Sequence, residues 1–380
     1  LLSYGSVPLS GYFHGKEEPL VKYPLTLIRC ASCCLMMVRE QFDPKIFFED
    51  YRYVSSIGLQ NHFNDYASYL IDRFNLSKDS RVVEFGCNDG PLLVALGKSG
   101  VSCIGVDPAK NITDIAISKG CTVITDFFTK DVVKRHVASG SIDIVTSSNC
   151  FAHIPNLDRV IEAIKFCLKP DGHFVFEVHD GNGIMSGPQY DNVYHEHLFY
   201  YTVSPLCILF ERHGMKVIDV EKIPVHAGSL RVVVSMDKTS LQNESVGLLK
   251  SDETSSCVLS EKVYTHRKRL WSLLSLRGNK IGYGASGRAN LLCNYLEIDK
   301  SIISSIVDES PERYGRYING IPIIPPYEAK YDDVDYIVIF AWNFAKMITA
   351  KLKDYSGKFI MPFPNPMVMT REEIMEMDTL

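Results

Sequence analysis

Four consecutive polar side chains form the densest group of chemically useful residues in the chain. They are Tyr194, His195, Glu196 and His197, in the run QYDNVYHEHLFYYTV. Two imidazoles, a carboxylate and a phenol could form a metal site, supply a base for proton abstraction, or only line a polar loop. A zincin helix needs His-Glu-x-x-His, but Phe199 stands at the second histidine position. On an extended strand His195 and His197 would share a face, yet no third ligand is near in sequence, so the metal interpretation is weak.

A first glycine turn occurs in the run VVEFGCNDG, at the end of an expected strand. Such a turn lets the backbone approach a ligand closely and opens a helix N-terminus. About twenty residues later Asp107 ends the next apolar run, where an acid can accept hydrogen bonds from ribose hydroxyls. The alternative is a tight turn followed by a solvated acid. The candidate cofactor-binding residues of this turn are Glu84, Gly86, Asn88 and Gly90.

A second glycine turn, GYGASG, competes for a nucleotide. By spacing alone its glycines, with Asp308 at the end of the following run, fit the dinucleotide fingerprint better than the first turn does. A phosphate loop would need Lys and Ser or Thr where Arg288 and Ala289 stand, so that interpretation fails. The three glycines are Gly282, Gly284 and Gly287.

The elements that must position these turns alternate between short β-branched runs and amphipathic stretches from Ser80 onward. This alternation predicts βαβ units and a parallel sheet. MKVIDVEKI and SLRVVVSM are separated only by PVHAG, which is too short for a crossover helix, so these strands should pair antiparallel. The alternation restarts after a charged helical stretch. We therefore predict an α/β protein with an N-terminal cap at 1–76, a main domain at 77–240, a helical linker at 241–277 and a smaller Rossmann-like domain at 278–380.

Bulk properties limit the partners. The 380 residues exceed one ordinary core, and the net charge of −5 without a basic tract makes nucleic acid an unlikely partner. No apolar run is long enough to span a bilayer and no secretory signal opens the chain. The eleven cysteines are scattered without the spacing of a disulfide framework, as expected for reduced thiols in a cytoplasmic protein. The sequence leaves monomer or dimer open, and its start without Met suggests that upstream residues are missing.

The main domain resembles the class I S-adenosylmethionine (SAM) methyltransferase fold. Its fourth run ends in polar Asn149 and His153, and the antiparallel pair closes the sheet, neither of which an NAD-binding unit requires. The resemblance implies SAM as cofactor, with the first glycine turn around its methionine part. It further implies a ribose site at Asp107 and Pro108, and an adenine site near Asp126 and Phe127, with Asn149 beside the cofactor.

The whole chain resembles a narrower family, the sugar C-methyltransferases that act on nucleotide-linked 4-keto-deoxysugars. The resemblance rests on eight motifs in the family's order: YPLTLIRCASC, YRYVSS, EFGCNDG, NCFAHIPN, DNVYHEHLFYYT, HAGSLRV, GYGASGRANLL and AWNFA. It implies a nucleotide-sugar substrate, methylated at C-3, in a cleft between the main and C-terminal domains.

The resemblance also implies a base for an enolate mechanism. A carbon next to a ketone can attack the SAM methyl only after losing its proton, and neutral imidazole suits that task. The family favours the last histidine of the motif, here His197, with His153 as second candidate. Tyr194 and Glu196 would orient the base or stabilise the enolate oxygen. The alternative is a set of polar loop residues that satisfy backbone groups.

Other side chains are weaker candidates for substrate binding, since each could equally be a core or surface residue. Tyr53 and Ser55 could form a lid, and His195 could contact substrate or only pack. Arg could bind a phosphate or a sugar oxygen. The remaining candidates are His226, Ser229 and Arg231 at the hairpin, and Gly284 and Arg288 in the C-terminal domain.

The resembled family has an N-terminal zinc site built from two cysteine pairs. Only Cys30 and Cys33 are present here, with Cys34 beside them. One C-x-x-C pair cannot complete a tetrahedral zinc shell. Either upstream residues complete the site, or the site is lost and the thiols are ordinary.

Three alternative functions remain open at this point. They are SAM-dependent methylation of a sugar heteroatom, NAD-dependent oxidoreduction at the second glycine turn, and nucleotide-sugar binding without catalysis. The intact His-Glu-His and Glu-x-Gly-x-Asn-x-Gly runs argue against the last of these.

Overall fold

The computed structural model describes residues 1–16, 18–48, 54–226, 228–254 and 258–377. The strands of the described residues are β1 Leu2–Val7, β2 Tyr23–Arg29, β3 Met36–Val38, β4 Arg81–Phe85, β5 Ser102–Val106, β6 Val123–Ile124, β7 Ile142–Ser148, β8 Leu168–His179, β9 Phe199–Tyr200, β10 Lys216–Ile223, β11 Ser229–Ser235, β12 Lys280–Tyr283, β13 Ile306–Val307, β14 Tyr317–Ile318, β15 Ile321–Ile324, β16 Tyr336–Ile339, β17 Lys358–Met361 and β18 Met367–Met369. The α-helices are α1 Lys45–Phe48, α2 Ser56–Phe74, α3 Pro91–Lys98, α4 Lys110–Ser118, α5 Lys130–Val133, α6 Leu157–Cys167, α7 Gly181–Ser186, α8 Val203–Arg212, α9 Glu244–Ser251, α10 Leu259–Leu274, α11 Gly287–Tyr295, α12 Ala345–Lys351 and α13 Arg371–Glu376.

The central sheet has seven strands in the order β10-β11-β8-β7-β4-β5-β6. Its strands run parallel except β11, which is antiparallel to β8 and to β10, as the short PVHAG link predicts. Both faces are covered: α2 and α3 pack on one side, and α6 and α8 on the other. The strand order reverses between β4 and β7, and ligands of open α/β sheets bind at the carboxyl ends of the strands at such a point.

The C-terminal sheet also has seven strands, in the order β14-β15-β13-β12-β16-β17-β18. Its inner strands are parallel and its two edge strands, β14 and β18, are antiparallel to their neighbours. The linker helix α10 packs into the core of this domain through Leu259, Val263 and Leu270.

The N-terminal residues do not form a separate core. Their antiparallel sheet, β1-β2-β3, is completed by β9, which follows the Tyr-His-Glu-His motif directly. Tyr4 and Val7 of β1 lie in the same hydrophobic core as the C-terminal sheet. The helix α2, within the 1–76 range of the sequence analysis, instead packs on the central sheet through Tyr66 and Leu70. The motif is therefore tied to the N-terminal sheet through β9.

Across the described ranges, no helix is both long and apolar enough to cross a membrane.

Candidate active site

The first glycine turn lies at the carboxyl end of β4, where its backbone takes conformations that favour glycine. Gly86 and Gly90 have φ of +67° and +75°, and Asn88 between them has φ of +51°. A side chain on Gly86 would overlap the Cβ and Sγ of Cys150, which follows β7. The turn therefore packs directly against the end of the neighbouring strand, and a larger residue at position 86 would force the two apart.

Asp107 holds the turn in this shape. Its Oδ2 accepts the N–H of Asn88 at 3.0 Å, and its Oδ1 accepts the N–H of Ala109 at 3.0 Å. Burial raises the pKa of the Asp107 carboxyl, and these two backbone donors act in the opposite direction. Because each carboxylate oxygen can accept more than one hydrogen bond, the expected ribose contact remains compatible with this arrangement.

Two buried polar atoms at the ends of β4 and β7 have no hydrogen-bond partner among the described residues. They are Oε2 of Glu84 and the hydroxyl of Ser148. Burial raises the pKa of Glu84 well above its ordinary value. Buried polar atoms normally have partners, and the ammonium and hydroxyl groups of SAM are partners of the type these atoms lack. The residues present thus fit the cofactor implied by the sequence.

The other predicted cofactor residues surround this turn. Pro108 lies two residues before the start of α4 and is partly buried, and Asp126 accepts the N–H of Phe127 at 2.8 Å. Asn149 has φ of +54° and its N–H donates to the carbonyl of Glu177 at 2.8 Å. These residues follow β5, β6 and β7, so they lie along the same edge of the sheet.

The start of α2 covers the first glycine turn. The N–H of Ser55 donates to Oδ1 of Asn88 at 2.9 Å, and the N–H of Ser56 donates to Oδ1 of Asp89 at 3.1 Å. Ser55 is thus beside the cofactor turn, although it contacts the turn through its backbone. The predicted lid residue Tyr53 lies outside the described residues.

The Tyr-His-Glu-His motif forms a turn, with the N–H of His197 donating to the carbonyl of Tyr194 at 3.1 Å. Nε2 of His197 lies 2.9 Å from the hydroxyl of Tyr194, and the His153 and His197 rings pack edge to face at 4.6 Å. Nδ1 of His153 is 2.7 Å from the carbonyl of Glu196. Since a carbonyl only accepts, that nitrogen carries the proton. The structure therefore brings together the side chains of Tyr194, His197 and His153, and Glu196 joins them through its backbone carbonyl.

Burial controls the protonation of the His197 and His153 imidazoles. The pKa of His197 is lowered well below its ordinary value, first by desolvation and then by the neighbouring His153, His179, His226 and Arg288. Desolvation also lowers the pKa of His153. Both rings are therefore neutral at pH 7, which is the form that a general base requires.

His195 points away from this group. Its Nε2 donates to the carbonyl of Pro24 at 3.1 Å, and its ring packs against Tyr23 and Phe42. Because the motif is a turn and not an extended strand, His195 and His197 do not share a face. The structure thus gives His195 a packing role against the N-terminal residues in place of the substrate contact considered above.

Two of the candidate residues at the hairpin, Arg231 and Ser229, make their hydrogen bonds within the protein. Nε and Nη2 of Arg231 donate to Oε1 of Glu177 at 3.0 and 2.8 Å, while Oε2 of Glu177 lies 2.8 Å from Nε2 of His62. The Arg231 guanidinium also stacks on Tyr66 at 4.6 Å. Ser229 donates to the carbonyl of Val225 at 3.0 Å. Both residues are buried and serve the fold, which corrects their assignment to substrate binding.

His226 faces the histidine group, together with a histidine that the sequence analysis missed. His179 ends β8, and its Nε2 is shielded from solvent without a partner among the described residues. Burial, Arg288 and His226 lower the pKa of His179 to about 3. Burial, with His62 nearby, lowers the pKa of His226 to about 4. The position of His179 at the carboxyl end of a parallel strand was the signal that could have identified it.

Arg288 reaches this group from the C-terminal domain. Its Nε donates to Oδ2 of Asp191 at 2.9 Å, and Nε1 of Trp342 donates to the same oxygen at 3.0 Å. The guanidinium lies 4.6 Å from the centre of the Trp342 ring. Asp191 and Trp342 belong to the quoted motifs, but sequence reasoning did not identify them as partners of Arg288.

The second glycine turn differs in its surroundings. Gly284 has φ of +94°, and a side chain there would meet Ala341. Asp308 accepts the N–H of Ala285 at 2.7 Å and pairs with Arg313 at 3.1 Å. Gly287 packs on the backbone of Ser10, so an N-terminal segment of the same chain lies against this turn. Gly284 therefore serves close packing, which gives no support to its role as a substrate contact.

The cysteine turn does not supply a metal site within the described residues. Cys34 donates its N–H to the carbonyl of Cys30 at 3.1 Å, and the backbone N–H groups of Cys33 and Ser32 lower the pKa of the Cys30 thiol. No group of three or more His, Cys, Asp or Glu side chains in the part of the chain that the structure describes could hold a metal ion. Cys30 and Cys33 alone leave the zinc shell incomplete.

Comparison with known proteins agrees with this geometry. Residues 59–220 match the family model of a methyltransferase domain, and residues 224–364 match that of a C-methyltransferase C-terminal domain. The chain is 31% identical to the C-methyltransferase NovU of Streptomyces niveus, over 98% of this chain and 94% of that protein. It is also 25% identical to a ubiquinone biosynthesis O-methyltransferase of Vibrio parahaemolyticus, over 30% of this chain and 50% of that protein.

Among solved structures, a SAM-dependent methyltransferase from Aquifex aeolicus is 17% identical and covers 52% of this chain and all of its own, with a TM-score of 0.38. The match to NovU spans nearly the full length of both proteins, and the two family models together cover the linker, nearly all of the central sheet, and the C-terminal sheet except β18. The NAD-dependent interpretation of the second glycine turn is thereby overturned. The chain belongs to the SAM-dependent C-methyltransferase family and is a SAM-dependent C-methyltransferase.

Proposed function

We propose that the enzyme methylates a nucleotide-diphospho-4-keto-deoxysugar at C-3 through an enolate. The observation that carries this proposal is His197, a neutral and partly buried imidazole hydrogen-bonded to Tyr194 and packed on His153. Transfer of a methyl group to carbon needs a base to create the nucleophile, and methyl transfer to an oxygen or nitrogen needs little or none.

In this mechanism neutral His197 removes the proton from the carbon next to the ketone. The C–H bond breaks, the proton moves to the imidazole, and the electron pair delocalises onto the ketone oxygen. The Tyr194 hydroxyl, 2.9 Å from Nε2 of His197, can donate to that oxygen or to the base. Bound SAM supplies an electrophilic methyl group.

A guanidinium beside this group, with its charge shared by Asp191, supports a nucleotide-linked substrate whose phosphate or sugar oxygens it could contact. Arg288 lies close enough to affect the pKa values of His197, His179 and His226, and its side chain remains partly accessible. Because Asp191 and Trp342 already orient it, the guanidinium is pre-organised to meet a phosphate or sugar oxygen.

The test combines methyl transfer with hydrogen exchange. His197→Asn should lower kcat by about a hundredfold to ten-thousandfold, since that is the usual effect of losing a general base. Binding of S-adenosylhomocysteine, measured by calorimetry, should not change. The wild type should also exchange the proton next to the ketone for solvent deuterium in the presence of S-adenosylhomocysteine, and the variant should not.

His195→Asn is the matched control, because it makes the same change in the same turn but faces away from the catalytic group. It should retain most activity per folded molecule. Full activity of His197→Asn, or wild-type methylation of an oxygen seen by NMR of the product, would contradict the enolate mechanism. If His153→Asn alone abolishes exchange, the base is the histidine that follows β7.

A further inference from the structure

A short N-terminal segment, Leu9–Tyr12, lies between the active-site turn and the C-terminal domain. The hydroxyl of Ser10 donates to Oε1 of Glu196 at 2.9 Å, and Ser10 is 5% exposed. The neighbouring Gly11 also approaches this carboxylate: a side chain on Gly11 would lie 3.8 Å from the same oxygen. The carboxylate of the Tyr-His-Glu-His motif is therefore held by a segment almost two hundred residues earlier in the sequence.

The segment is in turn held by Asn290 of α11. Nδ2 of Asn290 lies 2.9 Å from the carbonyl of Tyr12, 3.1 Å from that of Leu9 and 3.3 Å from that of Ser10. Asn290 is 1% exposed, and its Oδ1 accepts from Nδ2 of Asn294 at 3.0 Å, which fixes the orientation of the amide. A buried amide with its donor pointed at three carbonyls specifies one position for the segment.

The same helix explains the third glycine of the second glycine turn. A side chain on Gly287 would lie 3.1 Å from Cβ and 3.2 Å from the carbonyl oxygen of Ser10. Glycine at this position lets the segment approach α11 closely enough for Asn290 to reach it. The first turn of α11 thus acts on the motif in two ways. Asn290 holds the segment whose Ser10 bonds Glu196, and Arg288 bonds Asp191, three residues before the motif begins.

We propose that Ser10 and Asn290 are positioning residues for methyl transfer: Asn290 holds the segment in place, and the Ser10 hydroxyl orients the Glu196 carboxylate of the active-site turn. This inference rests on the proposed function, in which Glu196 acts on the substrate or on the base. Burial raises the pKa of Glu196, and the hydrogen bond from Ser10 opposes that rise. Removal of the hydroxyl should therefore raise the pKa of Glu196 further.

The test is a double-mutant cycle with a pH profile. Ser10→Ala should lower kcat about tenfold, on the scale of a lost hydrogen bond to a carboxylate, and should leave the affinity for S-adenosylhomocysteine unchanged. It should also move the Glu196-dependent limb of the kcat profile to higher pH, and Ser10→Thr should restore both. In the Glu196→Gln background, Ser10→Ala should cause no further loss, because its effect passes through that carboxylate.

Asn290→Ala should reproduce the Ser10→Ala phenotype. Ser6→Ala, an exposed serine on the preceding strand, is the control and should have no effect. Additive losses in the cycle, or an unchanged pH profile in Ser10→Ala, would overturn the proposal. Should Asn290→Ala fail to fold, Ser10→Ala and Ser10→Thr still decide it.

A readout without substrate separates this proposal from the proposed function. In protein labelled with ¹³C at the glutamate carboxyl, the Glu196 signal is assigned by its loss in Glu196→Gln. Its pKa should rise in Ser10→Ala and in Asn290→Ala. A pKa that does not move refutes the positioning role even if keto-sugars are methylated. A pKa that moves supports it even if no keto-sugar is a substrate.

Discussion

The molecule contains two glycine turns of similar design with different surroundings. Each ends the first strand of a parallel sheet, and in each an acid at the end of the next strand accepts a backbone N–H of the turn: Asp107 from Asn88, and Asp308 from Ala285. The first turn adjoins buried polar atoms without partners and the histidine group. The second packs on the chain's own N-terminal segment, and its acid is paired with Arg313. A glycine fingerprint therefore specifies a backbone shape, and the neighbouring elements decide whether a ligand or the protein itself contacts it.

The largest expected effect concerns the pH dependence of stability at His226, within the histidine group. The folded-state pKa of His226 is about 4. Between about pH 6.5 and pH 4 the His226 ring therefore binds a proton in the unfolded chain but not in the folded protein. Relative to His226→Asn, the wild type should lose about 1.4 kcal/mol of unfolding free energy per pH unit between about 6.5 and 4, and nothing above that window. Asn suits the positive φ of 54° at this position.

Urea denaturation of both proteins across this pH range measures the difference. His136→Asn, at an exposed position, is the control. A constant difference between wild type and His226→Asn from pH 7 to pH 4 would show that burial does not hold the His226 ring neutral.

The next effect compares the two acids. Asp107→Ala should weaken binding of S-adenosylhomocysteine about tenfold to a hundredfold, since hydrogen bonds to a charged group contribute about 1.5–3 kcal/mol and the turn loses two supports. Asp308→Ala should change that affinity less than twofold and lower only stability, because Ala285 would lose its acceptor. Calorimetry of both variants with S-adenosylhomocysteine and with NAD is the measurement. Tight NAD binding abolished by Asp308→Ala would reverse the assignment of the two turns.

The smallest effect concerns Gly287. Gly287→Ala places a methyl group 3.1 Å from Cβ of Ser10, so the segment must shift by a few tenths of an ångström. We expect kcat to fall a few-fold with unchanged cofactor affinity, because displaced positioning groups weaken the chemical step. Gly247→Ala, at a helical glycine with open space around it, is the matched control. Loss of cofactor binding in Gly287→Ala would show that the second turn contributes to the SAM site.

Local patterns were sufficient to predict the central sheet and the first turn. Strand ends, glycines and acids such as Gly86 and Asp107 lie within a few residues of one another or one strand apart, so their geometry follows from short-range rules. The antiparallel β10–β11 hairpin was predictable from link length for the same reason.

The orientation of single side chains was not predictable in this way. His195 faces the N-terminal residues because its motif is a turn, and the sequence does not distinguish that turn from a strand. His179 belongs to no motif, so only its position at a strand end could have indicated it. The Ser10–Glu196 and Arg288–Asp191 contacts join residues far apart in the chain, where no local pattern exists.

The closure of the N-terminal sheet by β9, and the packing of β1 into the C-terminal core, have a consequence for biosynthesis. During translation the strands β1, β2 and β3 cannot complete their sheet until Tyr200 has emerged, and β1 cannot complete its core until the C-terminal strands follow. Loop closure over such distances is slow compared with local helix formation. A nascent chain should therefore assemble its cofactor turn early but fix Glu196 only after α11 has emerged, so shorter chains would bind the methyl donor without being able to use it.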